Sequence, residues 1–354
     1  MTPADLSRTV VRAVRRAVDE GALSAPVPVG VRVERTRPGG TGDYACAVAL
    51  QLAGPAELPA REVAALLRDR VVGAPGIGRV EITGPGFLNF TLAAAADAAA
   101  RSARVRQVLD EGLRYGWGTE YAGQPQRLHH RREVRAAVLA DSVSRLLRAR
   151  GAPVRTTCEE APDPDWARLG VKADAHGRPP FPLTETRPVP AGATAAELLE
   201  RLGADATRWG LLRPAGHDRA PLGDSLLVQV ESNPLFLVRY AHARARALTR
   251  EAARLGLSAA YADDVDAPAL HAAIADHPGV LAAAARHQAP DRLARHLETV
   301  AHAFFDFHDA CPPLPVGDEK PSAAHRSRQA LAEAAGTVLA GGLSLLGVSA
   351  PEHL

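Results

Sequence analysis

At 354 residues, 46% hydrophobic and 23% charged, the chain has the composition of a folded globular protein with room for two or three domains. A formal net charge of +2 excludes a global basic field, so any nucleic-acid surface has to come from local arginine clustering. Cys46, Cys158 and Cys311 are widely spaced without a CxxC pair, which argues against a zinc site or a disulfide framework and fits a reducing cytoplasm.

The amino-terminal stretch 3–21 alternates Leu6, Val10, Val14 and Val18 with Arg8, Arg12, Arg15 and Arg16, a helical period stopped by Gly21. It has no signal-type apolar core, and no run of eighteen apolar residues occurs in the chain, so no membrane segment is expected. A strand is expected at Val29 to Arg35, then a turn over Pro38 to Asp43, then an apolar run from Tyr44 to Leu52 that could begin a buried helix. Pro59 to Val72 reads as a helix, and Arg79 to Thr83 and Phe87 to Leu92 as short strands joined by Gly84-Pro85-Gly86. Residues 93–113 then read as a connecting helix leading to Leu113-Arg114-Tyr115-Gly116-Trp117-Gly118.

The middle of the chain is short and broken. Leu128-His129-His130-Arg131-Arg132-Glu133 precedes an apolar-periodic helix through Arg150. Adjacent histidines on a helix point about 100° apart, so His129 and His130 read as a solvent-exposed pair and not as metal ligands or a general base. Pro162 to Trp166 and Arg178 to Pro182 read as proline-rich loops, too short to rebuild a doubly wound parallel sheet. The pattern recovers in Ala195 to Leu199 and in Leu202-Gly203-Ala204-Asp205-Ala206-Thr207-Arg208-Trp209, where Arg208 reads either as a bridge between domains or as a surface charge.

From Leu226 onward helices follow one another, at about 226–255, 266–275, 278–287, 290–310 and 322–347. In the first, Asn233 can cap, Pro234 suits the first turn, and Leu235, Val238 and Ala241 give an apolar stripe. Arg239, Tyr240 and Arg244 project from its flanks and Arg246, Arg250 and Arg254 continue the cationic face. Tyr240 and Arg244 are an i,i+4 pair that reads either as an aromatic and a guanidinium for an unpaired base and its phosphate, or as a solvated helix face with a half-buried tyrosine. Phe304, Phe305 and Phe307 read as core and His308 as a rim residue.

Asn-Pro followed by Tyr-Ala-His-Ala-Arg, with Gly42-Asp43-Tyr44, Gly84-Pro85-Gly86-Phe87-Leu88-Asn89-Phe90 and the closing Gly341 to Glu352 segment, resembles the arginyl-tRNA synthetase family. The resemblance implies a multi-domain α+β chain. A small α/β amino-terminal additional domain would span 1–112, a degenerate remnant of the class I catalytic domain and linker 113–215, and an all-α, DALR-type anticodon-binding bundle 216–354. It further implies that Phe87 and Asn89 read a D-loop nucleotide at the tRNA elbow, the alternative being a core hairpin. Arg239, Tyr240, Arg244, Arg328 and Leu354 would face the anticodon stem-loop.

Where the family carries a His-Ile-Gly-His type signature, His130 stands as a vestige and Arg131, Arg132 and Glu133 replace the positions that lie against adenine. No lysine stands where a Lys-Met-Ser-Lys type loop would fall; Thr184 to Pro190 offers only Arg187. The expectation is therefore a cytoplasmic tRNA-binding paralogue, for arginine tRNA in particular, without catalytic residues, metal or cofactor. The alternatives are an active arginine–tRNA ligase using ATP and arginine, and a protein-interaction module for a full-length synthetase or another tRNA-using enzyme.

Overall fold

The computed structural model describes residues 3–36, 41–179 and 182–354; Pro38, Gly39, Gly40, Pro180 and Phe181, within two of the expected loops, lie outside them. The chain folds into two compact units, residues 1–103 and 104–354.

In the first unit, helix α1 (Pro3–Asp19) buries Leu6, Val10 and Val14 completely, as the periodicity requires. Strands β1 (Val33–Arg35), β2 (Tyr44–Cys46), β3 (Ile77–Thr83) and β4 (Phe87–Leu92) form an antiparallel sheet in the order β1-β2-β4-β3. Helices α2 (Val48–Ala56) and α3 (Ala60–Val71) complete the unit. The expected strand from Val29 shrinks to three residues, with Val29 fully exposed. The apolar run at Tyr44 splits: Tyr44 and Cys46 alternate inward as a strand, and Val48, Ala49 and Leu52 then bury as a helix. The β3–β4 turn sits tightly on α3, since a Cβ at Gly86 (φ 144°) would lie 2.9 Å from the Ala60 carbonyl oxygen.

Helix α4 (Ala94–Glu111) carries the chain into the second unit. There β5 (Gln126–His130), β6 (Val154–Cys158), β7 (Ala175–His176) and β8 (Thr184–Thr186) form a parallel sheet in the order β7-β6-β5-β8. Helix α5 (Val134–Ala149) makes the crossover from β5 to β6. The proline-rich middle, expected to be loop, thus supplies two short edge strands and a 3-10 turn at Pro164–Leu169. Two- and three-residue strands carry no periodicity for a sequence reading to detect.

Helix α6 (Ala195–Leu212), kinked at Gly203, leads to α7 (Pro234–Arg254), α8 (Pro268–His287), α9 (Pro290–Ala310) and α10 (Ala323–Leu346). These helices and the parallel sheet share one hydrophobic core, from Leu128 and Val138 to Phe304 and Leu343. Helix α10 is long and apolar enough to cross a membrane by length and composition, but 78% of its apolar window is buried in this core.

Pro278 does not divide α8 as expected. The hydrogen bond that a proline at 278 cannot donate would go to the Ile274 carbonyl, and the Tyr115 hydroxyl donates to that carbonyl instead, at 3.1 Å. Arg208 is a buried bridge and not a surface charge, with 1% exposure. Its guanidinium donates to the Leu346 carbonyl at 2.8 Å, the Leu169 carbonyl at 2.7 Å and the Asp141 carboxylate at 2.6 Å. This ties α6 to α5, the 3-10 turn and the end of α10.

Candidate nucleic-acid interface and the end of strand β5

Helix α7 starts as its sequence dictates. The Asn233 side chain accepts from Leu235 N–H at 3.1 Å and donates to the carbonyls of Leu226 (3.0 Å) and Val228 (2.8 Å), so it caps the helix and pins the preceding loop. Leu235, Val238 and Ala241 are buried. His242 points inward as well: its Nδ1 lies 3.1 Å from the Gly336 carbonyl on α10, and burial lowers its pKa.

The flanking residues divide between two places. Tyr240, 40% exposed, stacks on Phe236 one turn earlier (5.4 Å between centroids, 9° interplanar) and on Phe305 of α9 (5.3 Å, 25°). Phe305 is therefore a half-buried member of a surface aromatic stack, not core as expected, while Phe304 and Phe307 are buried. Arg244 lies beside this stack and donates from Nε to His308 Nε2 at 3.3 Å. Tyr240 is thus stacked on two half-buried rings, with Arg244 one turn further along the same helix.

Arg239 turns to the other side of α7, into a cavity of about 270 Å³ whose lining includes Leu202, Leu227, Val228, Phe236 and Leu354. One terminal nitrogen lies 3.3 Å from Ser349 Oγ and 3.5 Å from Asp205, whereas its buried Nε has no partner. Leu354 remains 55% exposed at the rim. The cavity combines apolar walls and an aromatic edge with the Arg239 side chain, which suits a flat, partly apolar ring.

Further along α7, Arg246 pairs with Glu352 at 3.1 Å, Arg250 donates to the Glu352 carbonyl at 3.3 Å, and Arg254 pairs with Glu251 at 2.6 Å. The distal arginines therefore hold the carboxyl-terminal segment or a neighbour on the same helix. Arg328, half-buried on α10, donates to the Pro312 carbonyl at 3.2 Å. It belongs to neither the aromatic stack nor the cavity lining.

In the first unit, Phe87 and Asn89 share one side of β4 as i,i+2 neighbours. Phe87 is 36% exposed; Asn89 is buried and its amide donates to Thr83 Oγ1 at 2.6 Å. Phe90 is fully buried, as expected for core.

His129 and His130 lie at the end of a strand, not on a helix, so they point to opposite faces and both are buried, contrary to the expected exposed pair. His129 Nδ1 meets Thr157 Oγ1 at 2.9 Å. His130 Nδ1 meets the Arg131 carbonyl at 2.9 Å, and its ring lies against Trp166 with centroids 5.7 Å apart. Burial lowers the His130 pKa, so it is held neutral.

Glu133 caps α5: one carboxylate oxygen accepts from Ala136 N–H at 2.8 Å and the other from Ala191 N–H at 2.9 Å. The positive end of the helix, where a phosphate would be received, is thus occupied by an internal carboxylate. Arg132 donates to the Ala161 carbonyl at 2.9 Å, and Arg187 is paired with Glu185. Among the described residues no cluster of three or more His, Cys, Asp or Glu is arranged to hold a metal.

Sequence reasoning missed Phe236 and Phe305 as partners of Tyr240, and Glu133 as a cap. The i,i+4 spacing of Phe236 and Tyr240 was a usable signal, as was an acid immediately before an apolar-periodic helix. Phe305 had none, because its pairing is made across helices.

Comparison with known proteins bears on the family and the fold. Residues 5–92 match the model of the arginyl tRNA synthetase N terminal domain, and residues 238–354 that of the DALR anticodon binding domain. The arginine–tRNA ligase of Renibacterium salmoninarum is 27% identical over 553 aligned positions covering all of both proteins, and that of Frankia alni 26% over 555. This chain supplies 354 residues to those alignments, so the difference in length falls inside them. Among solved structures, Thermus thermophilus arginyl-tRNA synthetase superposes with a TM-score of 0.70 at 14% identity and full coverage of both chains, and the Plasmodium falciparum enzyme with 0.68 at 9%, also over both in full. With an amino-terminal domain, an anticodon-binding domain and an overall fold all of one kind, the chain belongs to the arginyl-tRNA synthetase family.

Proposed function

We propose that this chain is a tRNA-binding member of the family that does not aminoacylate. The observation that carries the binding half is the α7 surface. It holds the Phe236–Tyr240–Phe305 stack, in which Tyr240 is 40% exposed, with Arg244 one turn further along, and next to it a cavity lined by Phe236, Arg239 and Leu354. Stacked aromatics and arginines are what unpaired bases and their phosphates require, and a single-stranded anticodon loop offers both. The relatives are named as arginine–tRNA ligases, so arginine tRNA is the partner proposed.

The non-catalytic half rests on the end of β5. Glu133 accepts from one α5 amide, Ala136 N–H, and from Ala191 N–H, and His130 is buried against Trp166. A nucleotide's phosphates would have to displace a carboxylate held by two N–H hydrogen bonds, so ATP is not expected there. Where the missing lysines would fall, Thr184 to Pro190 offers Arg187, which is engaged in an ion pair with Glu185.

The test is titration of the purified chain with an arginine tRNA transcript at 50 and 200 mM salt, beside the Tyr240→Ala variant. Binding that weakens steeply with salt is expected, and the variant should lose roughly 1–3 kcal/mol with little change in salt slope. A variant that binds as the wild type does would remove the α7 stack from the interface.

A further inference from the structure

A second cavity of the 104–354 unit includes neither Arg239 nor the aromatic stack. It measures about 620 Å³, against about 270 Å³ for the one at Arg239, and is lined by α7, α10 and the segment 347–352. Helix α10 presents Glu333, Gly336, Thr337 and Ala340 to it, the i, i+3, i+4, i+7 stripe of one helix face. The two helices approach closely behind this stripe, since a Cβ at Gly336 would lie 2.8 Å from the Ala245 Cβ. The floor is therefore alanine and glycine, without a long side chain. The charged lining is Asp205, Glu333 and Glu352 against Arg145 and Arg246, an excess of one negative charge. Four of the five are engaged within the protein: Arg145 pairs with Asp141 at 2.9 Å, Arg246 pairs with Glu352 at 3.1 Å, and Asp205 accepts from Ser349 N–H at 2.9 Å. Among the described residues nothing pairs with the carboxylate of the half-buried Glu333. One turn further along, Thr337 donates its hydroxyl proton to the Glu333 carbonyl at 2.9 Å, which leaves its oxygen as an acceptor. His242, whose pKa is lowered by burial, adds no opposing charge at neutral pH.

We propose that this cavity is a small-molecule site for an aliphatic amine, with Glu333 as the counter-ion of its ammonium group, Thr337 as a second acceptor and the alanine–glycine floor against its methylene chain. Chemical complementarity selects the occupant. An ammonium group carries three N–H donors and no acceptor, which matches a lining whose unengaged groups are acceptors. Nucleic acid does not fit: the excess charge repels phosphate, and the lining holds no Phe, Tyr or Trp on which a base could stack. A metal ion does not fit either, because it needs several oxygen ligands, and among the described residues no cluster of three or more His, Cys, Asp or Glu is arranged to hold one.

The test is calorimetric titration of the purified full chain, free of RNA, with spermidine as the probe and magnesium chloride as the control cation. Glu333→Gln and Thr337→Val, each confirmed folded by its thermal melt, are titrated alongside. Saturable binding of one spermidine per chain is expected, weakened about ten-fold by Glu333→Gln through loss of a charge-assisted hydrogen bond and about three-fold by Thr337→Val through loss of a neutral one. Magnesium should neither bind saturably nor displace spermidine. The proposal is overturned if the wild-type chain shows no saturable binding, if both variants bind as it does, or if magnesium competes on equal terms, which would mark a diffuse counter-ion effect. Because no RNA is present, none of these outcomes bears on the tRNA-binding reading.

Discussion

Glu133 shows how one side chain can occupy the start of a helix. A class I synthetase fold would bring nucleotide phosphates to the start of the helix after its first strand, and here that helix is capped by its own carboxylate, which also holds Ala191 N–H at 2.9 Å. Glu133→Ala should lower stability by about 0.5–2 kcal/mol in urea denaturation, through loss of the cap. An unchanged midpoint would mean that the carboxylate contributes nothing there. This clamp was not legible in the sequence, because Ala191 lies 58 residues away and nothing local points to it. The Asn233-Pro234 start of α7 was legible, since both halves of its logic lie within four residues. His129 and His130 were misplaced for a related reason: a five-residue strand followed directly by a helix offers too little alternation to fix its own type, so their burial on opposite faces emerges only from pairing with β6 and β8.

At the scale of elements, α8 and α9 carry two further predictions. Pro278 normally signals a break, yet α8 continues because Tyr115, 159 residues earlier, supplies the missing donor to Ile274. Tyr115→Phe keeps the ring and strands that carbonyl in the core, so a loss of about 1–3 kcal/mol is expected in denaturant titrations. No change would indicate that α8 needs no external donor at the proline.

Next to this contact, His277 and His296 are buried between α8 and α9 with ring centroids 5.3 Å apart. Desolvation drives the His277 pKa well below its ordinary value and lowers that of His296 to about 4. Both are therefore neutral when folded, whereas the unfolded chain takes up protons from about pH 6.5 downward. Their contribution to stability is present above that pH and lost as pH falls toward 4, about 3 kcal/mol for His296 alone. Thermal melts across this window should show the decline, and His296→Phe should flatten it. An unaltered pH profile in the variant would place the sensitivity elsewhere.

Over the whole molecule, sequence and structure agree best at the two ends and least in the middle. The antiparallel sheet of the first unit and the helices of the second follow from long periodic segments, caps and turns. The parallel sheet does not, because its outer strands span two or three residues and are held by pairing to β5 and β6. What the family gives to a full catalytic domain, this chain compresses into a sheet with one crossover helix, tied to the helical core through Arg208 and Asp141 at 2.6 Å. On the proposed reading, the compressed region serves as a scaffold for the unit that presents α7.

The measurement that tests this account most directly is arginine- and tRNA-dependent ATP–pyrophosphate exchange on the purified chain, run beside tRNA binding in the same buffer. Salt-sensitive binding without exchange above background is the predicted result. Exchange above background would contradict it, because ATP would then be reaching the end of β5 despite the Glu133 cap.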